Sequence, residues 1–180
     1  MVISCSGGAR TRRRENSMDN GDRWKPRKKI RLPAASYLAG EPFLLTACTA
    51  HRRQLLVRER FGLQAHQTML AATEQTGAVL WCGIVMPDHV HLLVSAVVGK
   101  SPLDTMACFK RMTTLAVRGL GFSGPLWQRR VHDRGIRVDF ANDIELAAGY
   151  VLDNPVRCGL VASWQDWPLR HVNRGIDCGG

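Results

Sequence analysis

The sequence predicts an α+β domain with a ferredoxin-like β-α-β-β-α-β antiparallel sheet, helices on one face, and a C-terminal helix carrying a tyrosine. Three observations predict it. Apolar, β-prone runs recur at Pro42–Thr49, 78–85, 89–96 and 131–138; helix-compatible stretches follow the first and third of them; and a separate helical pattern surrounds Tyr150. At 180 residues and 45% hydrophobic, the chain can bury one core and needs no second domain.

The first strand is Pro42-Phe43-Leu44-Leu45-Thr46-Ala47-Cys48-Thr49. A helix is expected over Gln54 to Gln75, then a strand from Ala78 to Val85. The turn Met86-Pro87-Asp88 reverses the chain into a strand from His89 to Ala96, making a hairpin. Ser101-Pro102-Leu103-Asp104 supplies an N-cap, a proline at the first helical position and an acid at the third, and opens a helix toward Val117 that Gly119 and Gly121 stop. Val131 to Val138 is the fourth strand. Asn142 with Glu145 reads as a capping box for a last helix through Ile144, Ala147, Ala148, Val151 and Leu152, closed by Pro155. Gly149 inside that helix costs about 1 kcal/mol relative to alanine.

Charge is concentrated at one end. The net charge of +10 divides into +7 over residues 1–31, with ten basic and three acidic residues, and +3 over the other 149. Residues 1–36 therefore read as a basic arm, disordered on its own and suited to polyanion backbones, ahead of a domain at 37–170 and a short tail at 171–180. Alternatively the arm is only a solubilising tail, or Met18 is the true start. No apolar run approaches the roughly 18 residues of a membrane span, and the N-terminus lacks a secretory h-region, so a cytoplasmic protein is expected. The six cysteines form no Cys-x-x-Cys pair, which argues against a zinc ribbon or redox motif.

The chemistry centres on Met86-Pro87-Asp88-His89-Val90-His91. On a strand His89 and His91 share a face while Val90 turns away, so two imidazoles can grip one metal ion. Alone, the tripeptide is more often structural. Tyr150 and Asn154 stand four residues apart, placing phenol and amide on one helix face. Trp127-Gln128-Arg129-Arg130 joins an aromatic ring to two guanidinium groups, suited to unpaired bases and phosphates, although Trp127 could equally anchor a loop in the core. Lys110, Arg111 and Arg157 are further candidate backbone contacts.

Together, the hexapeptide continued by Leu92-Leu93, the segment Leu126 to Arg130 with His132-Asp133 beyond it, and Tyr150 to Val161 (YVLDNPVRCGLV) resemble the single-tyrosine HUH transposases, specifically the REP-associated tyrosine transposases. The likeness runs from about Phe43 to Pro168. It implies the same ferredoxin-like architecture, His89 and His91 as ligands of Mg²⁺ or Mn²⁺, Asn154 as third ligand, and Tyr150 as a nucleophile that forms a 5′-phosphotyrosine on single-stranded, hairpin-forming DNA. It also implies a monomer or homodimer acting on palindromic repeats. Two other readings stay open: an inactive DNA-binding relative of the same fold, and a metal-dependent phosphodiester hydrolase. An RNA-binding module of the same strand order is disfavoured, since no strand carries its aromatic signature.

Overall fold

The computed structural model describes residue 37, residues 40–138 and residues 142–176. The expected basic arm, residues 1–36, lies outside the described residues. Five strands form one antiparallel sheet: β1 (Pro42–Thr49), β2 (Val79–Val85), β3 (His89–Ser95), β4 (Trp127–Gly135) and β5 (Arg170–Val172), in the order β4-β1-β3-β2-β5. The central pair is β1 and β3, buried along most of its length, which accounts for the near-continuous apolar runs there.

Helices α1 (Glu59–Thr76) and α2 (Pro102–Gly119) pack on one face. Phe43, Leu45 and Ala47 of β1 and Val90, Leu92 and Val94 of β3 meet Phe61, Ala65 and Met69 of α1 and Met106, Phe109 and Val117 of α2. Close approach of α1 depends on Gly83 of β2, because a Cβ there would stand 2.3 Å from the Met69 sulfur. The N-terminal signal expected for α2 operates, while the stop of α1 at Gly77 was not anticipated. Ser101 Oγ accepts from the Leu103 amide at 3.2 Å with Pro102 in the first turn, and α1 ends at Gly77 in the left-handed region (φ 69°).

The opposite face carries α3 (Asp143–Leu152), whose Ala147, Ala148, Val151 and Leu152 are fully buried against Leu44, Cys82, Ile84 and Leu93. Small residues at 147 and 148 let the helix lie close on the sheet. A bulge at Trp81 makes this possible on β2: it reverses the alternation so that Leu80 faces α1 while Cys82 and Ile84 face α3.

Four sequence expectations are corrected. The fourth strand begins at Trp127 and ends at Gly135, rather than spanning 131–138, because its pairing with β1 continues through a bulge to Thr49↔Trp127. The first helix begins at Glu59, since residues 50–57 form two short 3₁₀ turns. The capping box at Asn142 is not made: that side chain gives no capping bond, and Glu145 Oε2 is buried without a partner. Pro155 opens a second short helix, α4 (Asn154–Arg157), where a missing N–H is no loss, instead of closing the first. The edge strand β5 was not anticipated; it pairs with β2 across the 170/171 boundary expected for the tail.

Candidate active site

Register alone assembles a polar row on the α3 face. His132 of β4 lies opposite Thr46 of β1, Thr46 opposite His91 of β3, His91 opposite Ile84 of β2, and Ile84 opposite Arg170 of β5. One step toward the β2–β3 turn, Cys48 lies opposite His89. Both histidines thus project from the central strand toward the face that α3 covers, with ring centroids 4.7 Å apart and planes at 82°.

Each imidazole is held by its Nδ1. His91 Nδ1 stands 2.7 Å from Thr46 Oγ1, and His89 Nδ1 stands 2.6 Å from Asp88 Oδ1. With these nitrogens occupied, both Nε2 atoms remain as the outward ends, the arrangement in which a neighbour orients a metal-ligating histidine. Burial, reinforced by the charges of His89 and Arg52, pushes His91 down to about 3, so it is a neutral donor at any physiological pH. At Asp88 burial acts to raise the carboxyl, but the His89 hydrogen bond and the His89 and Arg52 charges outweigh it and hold the group below the usual range.

A strained turn supports this carboxylate. His51 and Arg52 are consecutive non-glycine residues in the left-handed region (φ 57° and 53°), at a cost on the order of 1 kcal/mol each. The turn carries Arg52 to Asp88 at 3.3 Å, while Thr49 Oγ1 donates to the Arg53 carbonyl at 2.6 Å and to the Asp88 carbonyl at 3.1 Å. Cys48, buried beside His89, has its thiol pushed up by burial, against the pull of Arg52, and stays protonated at neutral pH.

The chain from α3 into α4 runs toward the histidine end: Ala148 sits over Cys82, and farther on the Arg157 charge reaches His91. Arg157 also lies 4.9 Å over the Tyr150 ring. Tyr150 is half-buried against the α3 core and so is held rather than solvated. Asn154 caps α3, its Nδ2 donating to the Tyr150 carbonyl at 3.0 Å and the Val151 carbonyl at 2.9 Å, which leaves Oδ1 for another partner. Cys82, under α3, is no ligand for the histidine end.

Among the described residues no three His, Cys, Asp or Glu side chains converge to hold a metal. Thr46, Asp88 and Arg52 were not singled out by sequence reasoning. Asp88 adjoins His89 in the hexapeptide and could have been; Thr46 meets His91 only through strand register, which a single sequence does not contain.

The expected DNA contacts divide between the two faces. Arg130 alternates with Val131 onto the α3 face and is exposed beside His132. Arg129, Lys110 and Arg111 belong to the α2 side. Trp127, for which a core role was the open alternative, is corrected to a core residue: it is 9% exposed, with its ring 5.3 Å from Phe109. Lys110 is corrected in part, because its half-buried ammonium donates to the Gln128 and Arg129 carbonyls at 2.7 and 3.3 Å and ties β4 to α2.

Against known families, residues 43–132, half of the chain, match the model described as "Transposase IS200 like". The chain belongs to the IS200-like transposase family. It is therefore an enzyme of a family whose members are generally metal-dependent. The matched segment begins in β1 and ends at His132, and so contains the whole histidine row, while Tyr150 lies beyond it. A REP-associated tyrosine transposase of Escherichia coli (strain K12) is 22% identical over 143 residues, covering 78% of this chain and 81% of that protein. The fold agrees with a solved REP-associated tyrosine transposase bound to a REP hairpin, at TM-score 0.62 and 22% identity over 80% of this chain and 82% of that one. A putative transposase from Deinococcus radiodurans R1 aligns at TM-score 0.48 and 24% identity, over 62% of this chain and 88% of the other. No helix among the described residues is long and apolar enough to cross a membrane.

Proposed function

We propose that this transposase cuts and rejoins single-stranded, hairpin-forming DNA through a covalent bond to Tyr150. The observation that carries the reading is the pair His89 and His91, each oriented through Nδ1 on the sheet face that the Tyr150 helix covers. Both Nε2 atoms and the Asn154 Oδ1 would hold Mg²⁺ or Mn²⁺; imidazole by itself favours later transition metals, so the preference comes from the family likeness and not from the ligands. When bound, the ion supplies Lewis-acid stabilisation of the charge that builds on the scissile phosphate.

The protein's own steps are these. Arg130 and Arg157, exposed on the same side, hold the strand's phosphates. The Tyr150 oxygen attacks phosphorus, the bond to the 3′ oxygen breaks, the phenol proton passes to solvent, and the leaving oxygen is protonated to a free 3′-hydroxyl. Phenolate is a better leaving group than an alkoxide, so the 5′-phosphotyrosine stays open to attack by a returning 3′-hydroxyl and the cut is reversible. A hairpin substrate is favoured because the related transposase of known structure is bound to a REP hairpin. Residues 1–36 add sequence-independent backbone contacts, consistent with their charge.

The test is incubation with a labelled DNA hairpin and Mn²⁺, followed by denaturing electrophoresis. A denaturation-resistant adduct is expected, mapping by mass spectrometry to the peptide containing Tyr150. Tyr150→Phe should keep hairpin affinity and lose the adduct, and His89→Ala should lose cleavage while still binding. Binding with no adduct under any divalent ion would leave an inactive DNA-binding protein. Cleavage at the normal rate by Tyr150→Phe would leave a hydrolase.

A further inference from the structure

The row of side chains that contains His91 ends at the outer edge of β4 in a third imidazole. His132 lies opposite Thr46, which lies opposite His91, so its side chain leaves the sheet on the same face as the histidine pair. The bond between Thr46 Oγ1 and His91 Nδ1 fixes that shared face. Two strand spacings, about 10 Å, separate the backbones of His132 and His91, which leaves room for a phosphate between the rings. Unlike the other two rings, that of His132 is exposed, and no bond engages it among the described residues. Its charged neighbours on this face are Arg130 and Arg134 of its own strand, with His91 beyond Thr46. Asp133 turns to the other face with Leu45, where Tyr37 donates to it.

This position matters because of where the reaction places its two oxygens. In a phosphoryl displacement the attacking and leaving oxygens stand roughly in line, on opposite sides of phosphorus. Helix α3 lies across β2 and β3 and leads into α4, whose Arg157 charge reaches His91, so the Tyr150 oxygen attacks from that side. The 3′ oxygen then departs toward β1 and β4. Of the side chains on this face there, arginine does not release a proton, Cys48 is buried, and the Thr46 hydroxyl is taken by His91. Histidine is the side chain whose charge ordinarily changes near neutral pH, which suits it to give a proton and take it back. We propose that His132 is the general acid of the cutting step and the general base of the rejoining step, an assignment that rests on the transposase reading given above. As the Tyr150 oxygen bonds to phosphorus, the bond to the 3′ oxygen breaks, its electron pair stays on that oxygen, and protonated His132 passes it a ring proton; the phenol proton goes to solvent. In the reverse step neutral His132 takes the proton of the returning 3′-hydroxyl, and the released phenolate takes one from solvent.

The test uses two labelled hairpin DNAs that differ in one atom, the bridging 3′ oxygen at the mapped cleavage position or a sulfur in its place, with Mn²⁺ in single turnover. A thiol has an ordinary pKa of about 8.5, far below that of an alcohol, so a 3′-thiolate departs without an acid. His132→Gln should slow adduct formation on the oxygen DNA by about 100-fold or more, within the range of general acid catalysis, and leave the sulfur DNA at the rate of the unaltered protein. Rejoining should slow by the same factor, so that the fraction cleaved at equilibrium does not change. Affinities for the hairpin and for Mn²⁺ should match those of the unaltered protein, which shows that the variant folds and that His132 is no metal ligand. Equal slowing on both DNAs would make His132 a phosphate-positioning residue, and unchanged rates on both would make it a bystander; either result overturns the proposal. If the unaltered protein makes no adduct with either DNA, the transposase reading itself fails, and the proposal with it.

Discussion

Asp88 and Thr46 each hold an imidazole through Nδ1, and under the proposed function the other nitrogen of each ring is the metal ligand. Removing such a partner ordinarily costs 10- to 100-fold in metal affinity. Asp88→Asn and Thr46→Val should each weaken Mn²⁺ binding on that order, by calorimetry, with the thermal midpoint little changed; unaltered affinity in both would remove their orienting role. The histidine pair was legible because strand alternation is local, whereas the bond from Thr46 depends on pairing between residues 45 positions apart. His91 also sets a pH dependence. Its folded pKa of about 3 lies below the ordinary 6.5, so between these values the unfolded chain binds a proton that the folded one does not. Stability of the metal-free protein should accordingly fall as pH drops through that window and be insensitive to His91 above it. The check is the urea midpoint against pH, where His91→Asn should flatten the acid limb.

At the scale of elements, the sequence was most readable where a signal was local and chemical. The Ser101-Pro102 start of α2 and the hairpin turn before His89 both stand where expected. Boundaries failed where pairing decided them: β4 took in Trp127 to Arg130 because β1 offered partners through a bulge, and β5 exists only because β2 has an open edge. Pro155 was misjudged for a different reason, as proline opens a helix as readily as it ends one. Gly149 gives this scale its prediction. A Cβ there would meet no atom within 4 Å, and its backbone is ordinary helix, so Gly149→Ala should stabilise the protein by about 1 kcal/mol in chemical denaturation. Gly83→Ala should do the opposite, by about 1–3 kcal/mol, since its new methyl would collide with the Met69 sulfur. A destabilised Gly149→Ala protein would mean that the Tyr150 helix needs local freedom at that point.

Taken whole, the molecule is a sheet with two unlike faces. One is a helix-packed core; the other carries the row of Thr46, His91 and His132 together with α3, against whose core Tyr150 is half-buried. Fold class, and the placing of His89 and His91 on one face of a strand, followed from pattern and resemblance, but the separation of basic residues onto opposite sides of β4 did not, because it depends on strand register and on the placement of α2. Charge partition makes the last prediction. Residues 1–29 carry nine Lys and Arg against three acids, and so six of the chain's ten net positive charges, whereas the cations at the site and on the α2 side all lie beyond residue 100 or at Arg52. If the N-terminal segment contacts DNA, its charges release counterions that the folded domain alone does not, and each phosphate contact adds about 0.7 to 0.9 to the salt slope. Deleting residues 1–29 should therefore weaken hairpin binding most at low salt and flatten the slope by several of these increments. Adduct formation at saturating DNA should persist, because Tyr150, His89 and His91 are untouched. A slope identical to that of the full chain would show that the folded domain makes all the backbone contacts and that the basic segment takes no part in holding DNA.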